Sequence, residues 1–443
     1  MPALMSASAP AGDVAVIGGG WAGLAAAVTL AAAGTPVTVF EAAQTLGGRA
    51  RRIELDGLPL DNGQHLLLGA YRTTLALIEQ VRPTPTGGTD VLHARMPLTL
   101  LGPGTFRLRA AQLPAPMHML AGLLSARGCT LAERLAVIRA VAGWKRSGWR
   151  AESGLTVERL LAGQPPRMIA RLWTPLCLAA LNTPPANAAA QVFLNLLRDA
   201  LAADRAASDM IIPVADLSAL FPDPAAAYVE QRGGSIRRAL RVRAITVRDG
   251  VPVVETAGAQ QAFRDVIVAT APWQAAGLLA PLPLAAGVVM QIEAYDYQPI
   301  TTVYLRYAQR VPMAFPMLQL GSGPGQWVFD RGTPGGNALL AVVISADGPH
   351  RRLAPEALVA ALASQLRSNL PVLAASPAPL WSRIITERRA THACTPERSH
   401  PLAGHLGSGI YLAGDHTDPD YPATLEAAAR SGVRAAEAVL DRR

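Results

Sequence analysis

Gly18-Gly19-Gly20-Trp21-Ala22-Gly23 sets three glycines at GxGxxG spacing, between the apolar run Asp13 to Ile17 and the alanine-rich stretch Ala22 to Ala33. That spacing suits a pyrophosphate. Gly18 permits a tight turn, Gly20 lets the backbone approach the phosphates, and Gly23 lets a helix pack close on a strand. A helix beginning at Trp21 and Ala22 offers unsatisfied N–H groups and its positive dipole end to the same anion. Glu41 follows 18 residues after Gly23, closing a second apolar run, Pro36 to Phe40. A carboxylate there accepts hydrogen bonds from a ribose diol and repels a 2′-phosphate. A glycine-rich turn matching by chance is the plainer reading of the motif alone. Strand, helix and terminal acid in order favour a dinucleotide.

Further groups are spaced along the chain. Gly47-Gly48-Arg49-Ala50-Arg51 begins six residues past Glu41, and Gly414-Asp415 lies near the C-terminus. Together with the glycine turn they resemble FAD proteins of the glutathione-reductase-like class. The resemblance implies Gly48 and Arg49 on the pyrophosphate and flavin side, and Asp415 as acceptor for the ribityl–phosphate region. Alone, Gly414-Asp415 is an ordinary strand-end turn. In Tyr421-Pro422-Ala423-Thr424-Leu425-Glu426, proline favours a helix start. Ala423, Thr424 and Leu425 would then present backbone N–H groups to the pyrimidine edge of a flavin, where a helix N-terminus stabilises negative charge. Asp61-Asn62-Gly63-Gln64-His65 supplies a histidine able to donate at a reacting face, or equally one bonded to backbone.

These residues need a scaffold. Asp13–Ile17, Pro36–Phe40, Asp265–Ala271 and Gly409–Asp415 read as buried parallel strands, with helices over Ala22–Ala33 and about Ala423–Leu440. The alternating run Arg241–Val247 reads as a further strand, and Val242 within it is counted among the cofactor-binding residues. The fold class is therefore α/β: a discontinuous Rossmann-like FAD-binding domain of the glutathione-reductase type, with an α+β substrate domain. The expected boundaries are 1–74, 226–284 and 405–443 for the nucleotide domain. A mainly helical insert fills 75–225, and an insert of strands plus helix fills 285–404. Leu131–Trp144 and Pro355–Leu370 are predicted helices, and Thr301–Tyr307 a predicted strand. Gly321-Ser322-Gly323-Pro324-Gly325 is a loop, so no second dinucleotide unit is expected for NAD(P)H.

Composition narrows the classes. The 443 residues are 50% hydrophobic and 16% charged, with a mean hydropathy of +0.23, which excludes intrinsic disorder. Cys129, Cys177 and Cys394 are scattered, which argues against a disulfide framework or structural zinc; no metal is expected. The net charge of +8 is dispersed and almost wholly arginine, with Lys145 the single lysine. Without like-charge runs, nucleic acid is the least supported partner and an anionic membrane surface a better one. Met1–Gly12 lacks secretory features, so a cytoplasmic protein on the inner face of the membrane is expected. The uncharged stretch Val266–Ile292 is broken by Pro272, Pro281 and Pro283 and reads as a buried strand plus a loop, not a span. Pro116–Leu124, flanked by Arg109 and Arg127, reads as a core helix or as an interfacial one.

The motifs and the intervening sequence resemble the phytoene desaturase and flavin amine oxidase superfamily. More narrowly they resemble the hydroxysqualene dehydroxylase family of hopanoid synthesis. Four segments carry the narrower likeness: Asp61–Tyr71, Trp173–Thr183, Leu217–Pro222 and Ala413–Thr417. Glu426-Ala427-Ala428 departs from the pattern, since relatives often have glycine after the glutamate. The resemblance implies a flavoenzyme that reduces an allylic triterpene alcohol to squalene with release of water, next to squalene-forming enzymes. His65, Asp61, Asp420 and Tyr421 are the candidate catalytic groups by expected nearness to the flavin. A carotenoid-type desaturase or isomerase uses the same scaffold, an amine oxidase is disfavoured by the lone Lys145, and an inert flavin-bound scaffold is the non-enzymatic alternative.

Overall fold

Short runs with no room for solvent make the central sheet. In the computed structural model, which describes residues 14–82, 93–201, 203–332, 336–374 and 378–442, Val14–Ile17 is a strand with all four side chains buried. Met1–Gly12, read above for targeting features, and Asp13 lie outside the described residues. The strand pairs in parallel with Val37–Phe40 on one side and Asp265–Val268 on the other. Ser235–Arg237 and Ile410–Leu412 extend the parallel array, and Gly404–Gly407 closes it antiparallel, giving six strands. Strands far apart in sequence become neighbours, as a parallel sheet fed by crossovers requires.

Alternation decides what each face packs against. Val14 and Val16 join a core with the helices Trp21–Ala32, Pro222–Gln231 and Leu425–Leu440. Ala15 and Ile17 join the opposite core, beneath the antiparallel strands Ala244–Arg248, Val251–Thr256 and Ala259–Ala262. The first and last helices approach so closely that a Cβ on Gly432 would stand 2.1 Å from the Ala22 carbonyl oxygen.

A second sheet of five antiparallel strands runs in the order Met317–Gln319, Trp327–Asp330, Ala338–Ser345, Tyr297–Tyr307, Trp381–His392. In Ala338–Ser345, Leu340, Val342 and Ile344 face the helix Pro355–Asn369, while Leu339, Ala341 and Val343 face a helical cap. That cap includes Leu131–Arg146, Thr174–Leu181 and Ala190–Leu201. The Leu131 helix starts with a capping box, Thr130 and Glu133 satisfying each other's backbone N–H groups.

One expectation needs correction. The stretch Val266–Ile292 is not strand plus loop: helices occupy Pro272–Leu279 and Ala286–Glu293. Pro272 stands at the first helical position, where its missing N–H costs nothing, so it starts a helix rather than breaking one. The insert 75–225 carries short strands among its helices. It contributes the strands His93–Met96, Thr99–Leu101, Arg107–Arg109 and Met210–Pro213, too short to give a period of two against a helical background.

Candidate active site

Two cavities meet in the molecule. The first, of about 720 Å³, runs along the glycine turn and is lined by Gly18, Gly20, Trp21, Ala22, Glu41, Gly48, Arg49, Val242, Gly414, Asp415, Ala423, Thr424 and Leu425. Gly18 has φ +111°, and a Cβ there would sit 2.6 Å from the Ala269 carbonyl oxygen. A Cβ on Gly23 would lie 1.9 Å from the Gly18 carbonyl oxygen, so helix and turn touch backbone to backbone. Gly23 itself is off the cavity wall and acts through packing. Gly20 and Gly48 pack backbone against backbone on the cavity wall, and a Cβ on Gly48 would reach within 3.3 Å of the Gly20 Cα. The donor set, the open glycine cradle and the terminal acid fit a flavin dinucleotide.

The polar groups of this cavity are held in place. Glu41 accepts from the N–H groups of Gly19 and Ala43 at 2.7 and 2.8 Å, which fixes its carboxylate at the strand end. Arg49 pairs with both oxygens of Asp415, at 2.7 and 2.6 Å, and donates through Nη1 to the Ala390 carbonyl at 2.6 Å. Burial alone would raise the Asp415 carboxyl, but Arg49 and His416 overcome it and hold the group well below the usual carboxylate range. The last helix begins at Leu425, with Thr424 as N-cap accepting from Ala427. First-turn N–H groups have no intrahelical acceptor and are free to face a ligand. Glu426, buried, turns away and caps the helix Arg72–Val81 by accepting from Thr73 and Thr74. In the segment that departs from the family pattern, Ala427 is buried in the core and Ala428 lines the first cavity.

The second cavity, of about 340 Å³, is walled by aliphatic and aromatic side chains, among them Leu100, Leu108, Met119, Leu123, Val137, Leu172, Phe193 and Phe329. A π-helical turn, Ile169–Trp173, carries Leu172 and Trp173 onto this wall. Asn182, left-handed at φ +47°, ties the end of the next helix to the sheet. Its Nδ2 donates to Thr391 at 2.9 Å and its Oδ1 accepts from Ala346 at 2.6 Å. The two cavities share Arg49, His65, Glu387, Ala390, Ala423, Thr424 and Leu425.

Of the four candidate catalytic groups, only His65 lies on either wall. Burial pushes its imidazole down to about 4, the Gly63 carbonyl at 3.2 Å opposing and Arg49 assisting, so the ring is neutral at pH 7. The expectation that the other three reach the reacting centre is corrected. Asp61, 1% exposed, accepts from the Leu217 N–H at 2.8 Å and pairs with Arg331 at 3.4 Å, and its burial pushes it up to about 6. It is a buried strut at a strand end. Asp420 is exposed in a loop, and its carbonyl accepts from Asn195. Tyr421 donates its hydroxyl to Asp199 and lies under Arg430 at 4.6 Å. Proximity in sequence to a flavin motif does not bring these three to the cavities, because the chain turns each side chain away from both walls at that position.

Other wall residues carried no local signal. Trp273 reaches the cavities from a helix, Trp327 and Glu387 from separate strands, and Leu240 from a loop. The loop Gly321–Gly325 is a socket for Gln365, which donates to the carbonyls of Gly321 and Gly325 and accepts from the Gly325 N–H. Lys145 is exposed on its helix and lines neither cavity.

A family model for flavin containing amine oxidoreductases matches residues 21–440, and the chain belongs to that family. It is a FAD-dependent oxidoreductase. The chain is 31% identical to the hydroxysqualene dehydroxylase of Rhodopseudomonas palustris, covering 96% of this chain and 98% of that one. A zeta-carotene desaturase of Synechocystis is 22% identical, over 96% and 97% of the two chains. Among solved structures, cyclohexylamine oxidase of Brevibacterium oxydans superposes with a TM-score of 0.71 at 17% identity, covering 98% of this chain and 99% of that one. At that identity the likeness establishes the fold.

Proposed function

We propose that the protein reduces hydroxysqualene to squalene, releasing water, where its two cavities join. One observation carries the reading: an aliphatic chamber opens onto the flavin cradle through a shared wall of Arg49, His65 and residues 423–425. The full-length likeness to a hydroxysqualene dehydroxylase supports it. Bound FAD, when reduced, supplies a hydride equivalent. The chain does the rest. Gly18, Gly20 and Gly48 leave room for the pyrophosphate, Glu41 takes the ribose, and the Arg49–Asp415 pair fixes the cradle beside the junction. The start of the last helix favours negative charge at the flavin edge. Loss of hydroxide from an allylic carbon leaves a delocalised cation, and the aliphatic wall keeps water from recapturing it.

The substrate's hydrocarbon body costs about 0.8 kcal/mol per CH₂ to expose to water, so it should enter from lipid. The helix Met117–Leu124 supports such a route. Met119 and Leu123 line the chamber, while Met117 and Leu124 on its outer face are 50% and 43% exposed, beside the exposed Arg109 and Arg127. No helix among the described residues is long and apolar enough to cross a membrane, so a surface contact with anionic lipid is the form proposed. Flotation with anionic vesicles at low salt, absent with neutral ones, is the expected result.

The deciding experiment is anaerobic. The flavin is reduced chemically, hydroxysqualene is added, and squalene and oxidised flavin should appear together in equal amounts. A more unsaturated polyene formed under oxidising conditions, without squalene, would favour a carotenoid-type desaturase instead.

A further inference from the structure

One carboxylate among the described residues lies on the walls of both cavities, and it is none of the acids singled out by the sequence. Glu387 sits within the strand Trp381–His392, opposite Ile300, and Ile385, two residues earlier, lines the chamber with it. Period-two alternation puts both on one face. Just beyond, the register shifts: Gln298 pairs with Thr391 and Ile300 with Glu387, so three residues oppose Pro299 alone. Proline has no N–H to give the ladder, and a bulge absorbs the mismatch. The bulge frees the Ala390 carbonyl for Arg49, which binds it at 2.6 Å. The strand thus bends where cradle and chamber meet and presents Glu387 at the join.

The neighbours of this carboxyl hold it loosely. Asn62 Nδ2 and the Arg389 N–H each donate to it at 3.4 Å, the far edge of hydrogen-bonding distance. Its lone pairs remain available to a ligand. The other ionisable groups on the chamber wall are Arg49, His65 and Tyr71, and each is committed or unsuited: burial pushes the Tyr71 hydroxyl up, so it holds its proton more tightly than a free phenol. Arg49 is locked to Asp415, and His65 is neutral and would have to give up its last proton.

We propose that Glu387 is the catalytic acid that protonates the departing hydroxyl of the allylic alcohol. This rests on the functional reading above. The Glu387 O–H proton passes to the hydroxyl oxygen as the C–O bond breaks, and the bonding pair leaves with the oxygen as water. The allylic cation is closed by a hydride from the reduced flavin, and the Glu387 carboxylate regains a proton from solvent. In sum the alcohol takes up two electrons and two protons and yields the hydrocarbon and water.

The test compares hydroxysqualene with its acetate ester, whose leaving group departs without a proton, in single turnovers of the reduced holoenzyme. Glu387→Gln is expected to keep wild-type FAD content by absorbance and to bind the alcohol with similar affinity by flavin spectral perturbation. Its alcohol turnover should fall by ~10²–10⁴-fold, the usual contribution of a positioned acid, while acetate turnover stays within about tenfold of wild type. Alcohol turnover within about threefold of wild type overturns the proposal, as does equal loss on both substrates. Should Glu387→Gln fail to hold flavin, the alcohol-to-acetate rate ratio of Glu387→Ala is measured instead; a lowered ratio supports the proposal and an unchanged one overturns it. A wild-type enzyme yielding squalene from neither substrate brings down the functional reading itself, and this assignment with it.

Discussion

The flavin cradle and the aliphatic chamber are adjacent but built by different means. The cradle is made of backbone: its decisive positions are glycines, and it fails when a Cβ is added. The chamber is made of side chains drawn from segments between residues 49 and 425, and its shape shifts when volume is added or removed. Backbone cradles tolerate no substitution at a few positions; side-chain chambers tolerate many at modest cost. The difference explains why the same scaffold appears in proteins of several activities, since the cofactor site is fixed while the chamber is free to change.

Four variants would break or sharpen this contrast. The largest effect is expected from Gly23→Ala, whose Cβ would lie 1.9 Å from the Gly18 carbonyl oxygen. A destabilisation of at least about 3 kcal/mol and loss of flavin absorbance should follow, seen by thermal melting and spectrum. Arg49→Met comes next. It strips Asp415 of its partner, and removing one member of a fully buried pair costs about 3–5 kcal/mol. Because the guanidinium is 26% exposed, about 2 kcal/mol is expected, with FAD affinity lowered in a titration of apoprotein.

Ala180→Phe places bulk on the chamber wall alone. It should leave flavin content unchanged and lower squalene formation by ~10-fold or more, equivalent to about 1.4 kcal/mol. A variant that loses flavin as well would erase the distinction between the two regions. The smallest effect concerns pH. Burial pushes His65 to about 4 and His392 to about 3. Each carries fewer protons folded than unfolded between its lowered value and about 6.5, so stability rises with pH across that window and is lost on acidification. Asp61, raised to about 6, holds an extra proton when folded between about 4 and 6 and opposes the trend. His392→Phe keeps a ring stacked on Tyr295 and should flatten the rise in melting temperature between pH 4 and 6.5 by about 1–2 °C.

Much of the cradle was legible because it depends on local chemistry. Gly18, Gly20, Glu41 and Asp415 each sit at a strand end or helix start that short apolar runs announce, Gly48 sits in a turn, and all five line one cavity. The catalytic candidates fared worse. Asp61 and Tyr421 lie next to cradle residues in sequence, but their side chains leave the site for Arg331 and Asp199. Glu387 stood in a charged Glu-Arg-Arg run that reads as solvated surface.

Sequence alone determined the dinucleotide turn, the parallel sheet with its two flanking helices, and the greasy character of the whole. Each follows from residue type and short-range spacing, which act within a few residues. Only the tertiary structure decided which side chains share the junction. Arg49, Asn62, Glu387 and Asp415 meet across more than 300 positions of chain, brought together by sheet register and a bulge opposite a single proline. Those are long-range pairings, and no local pattern encodes them.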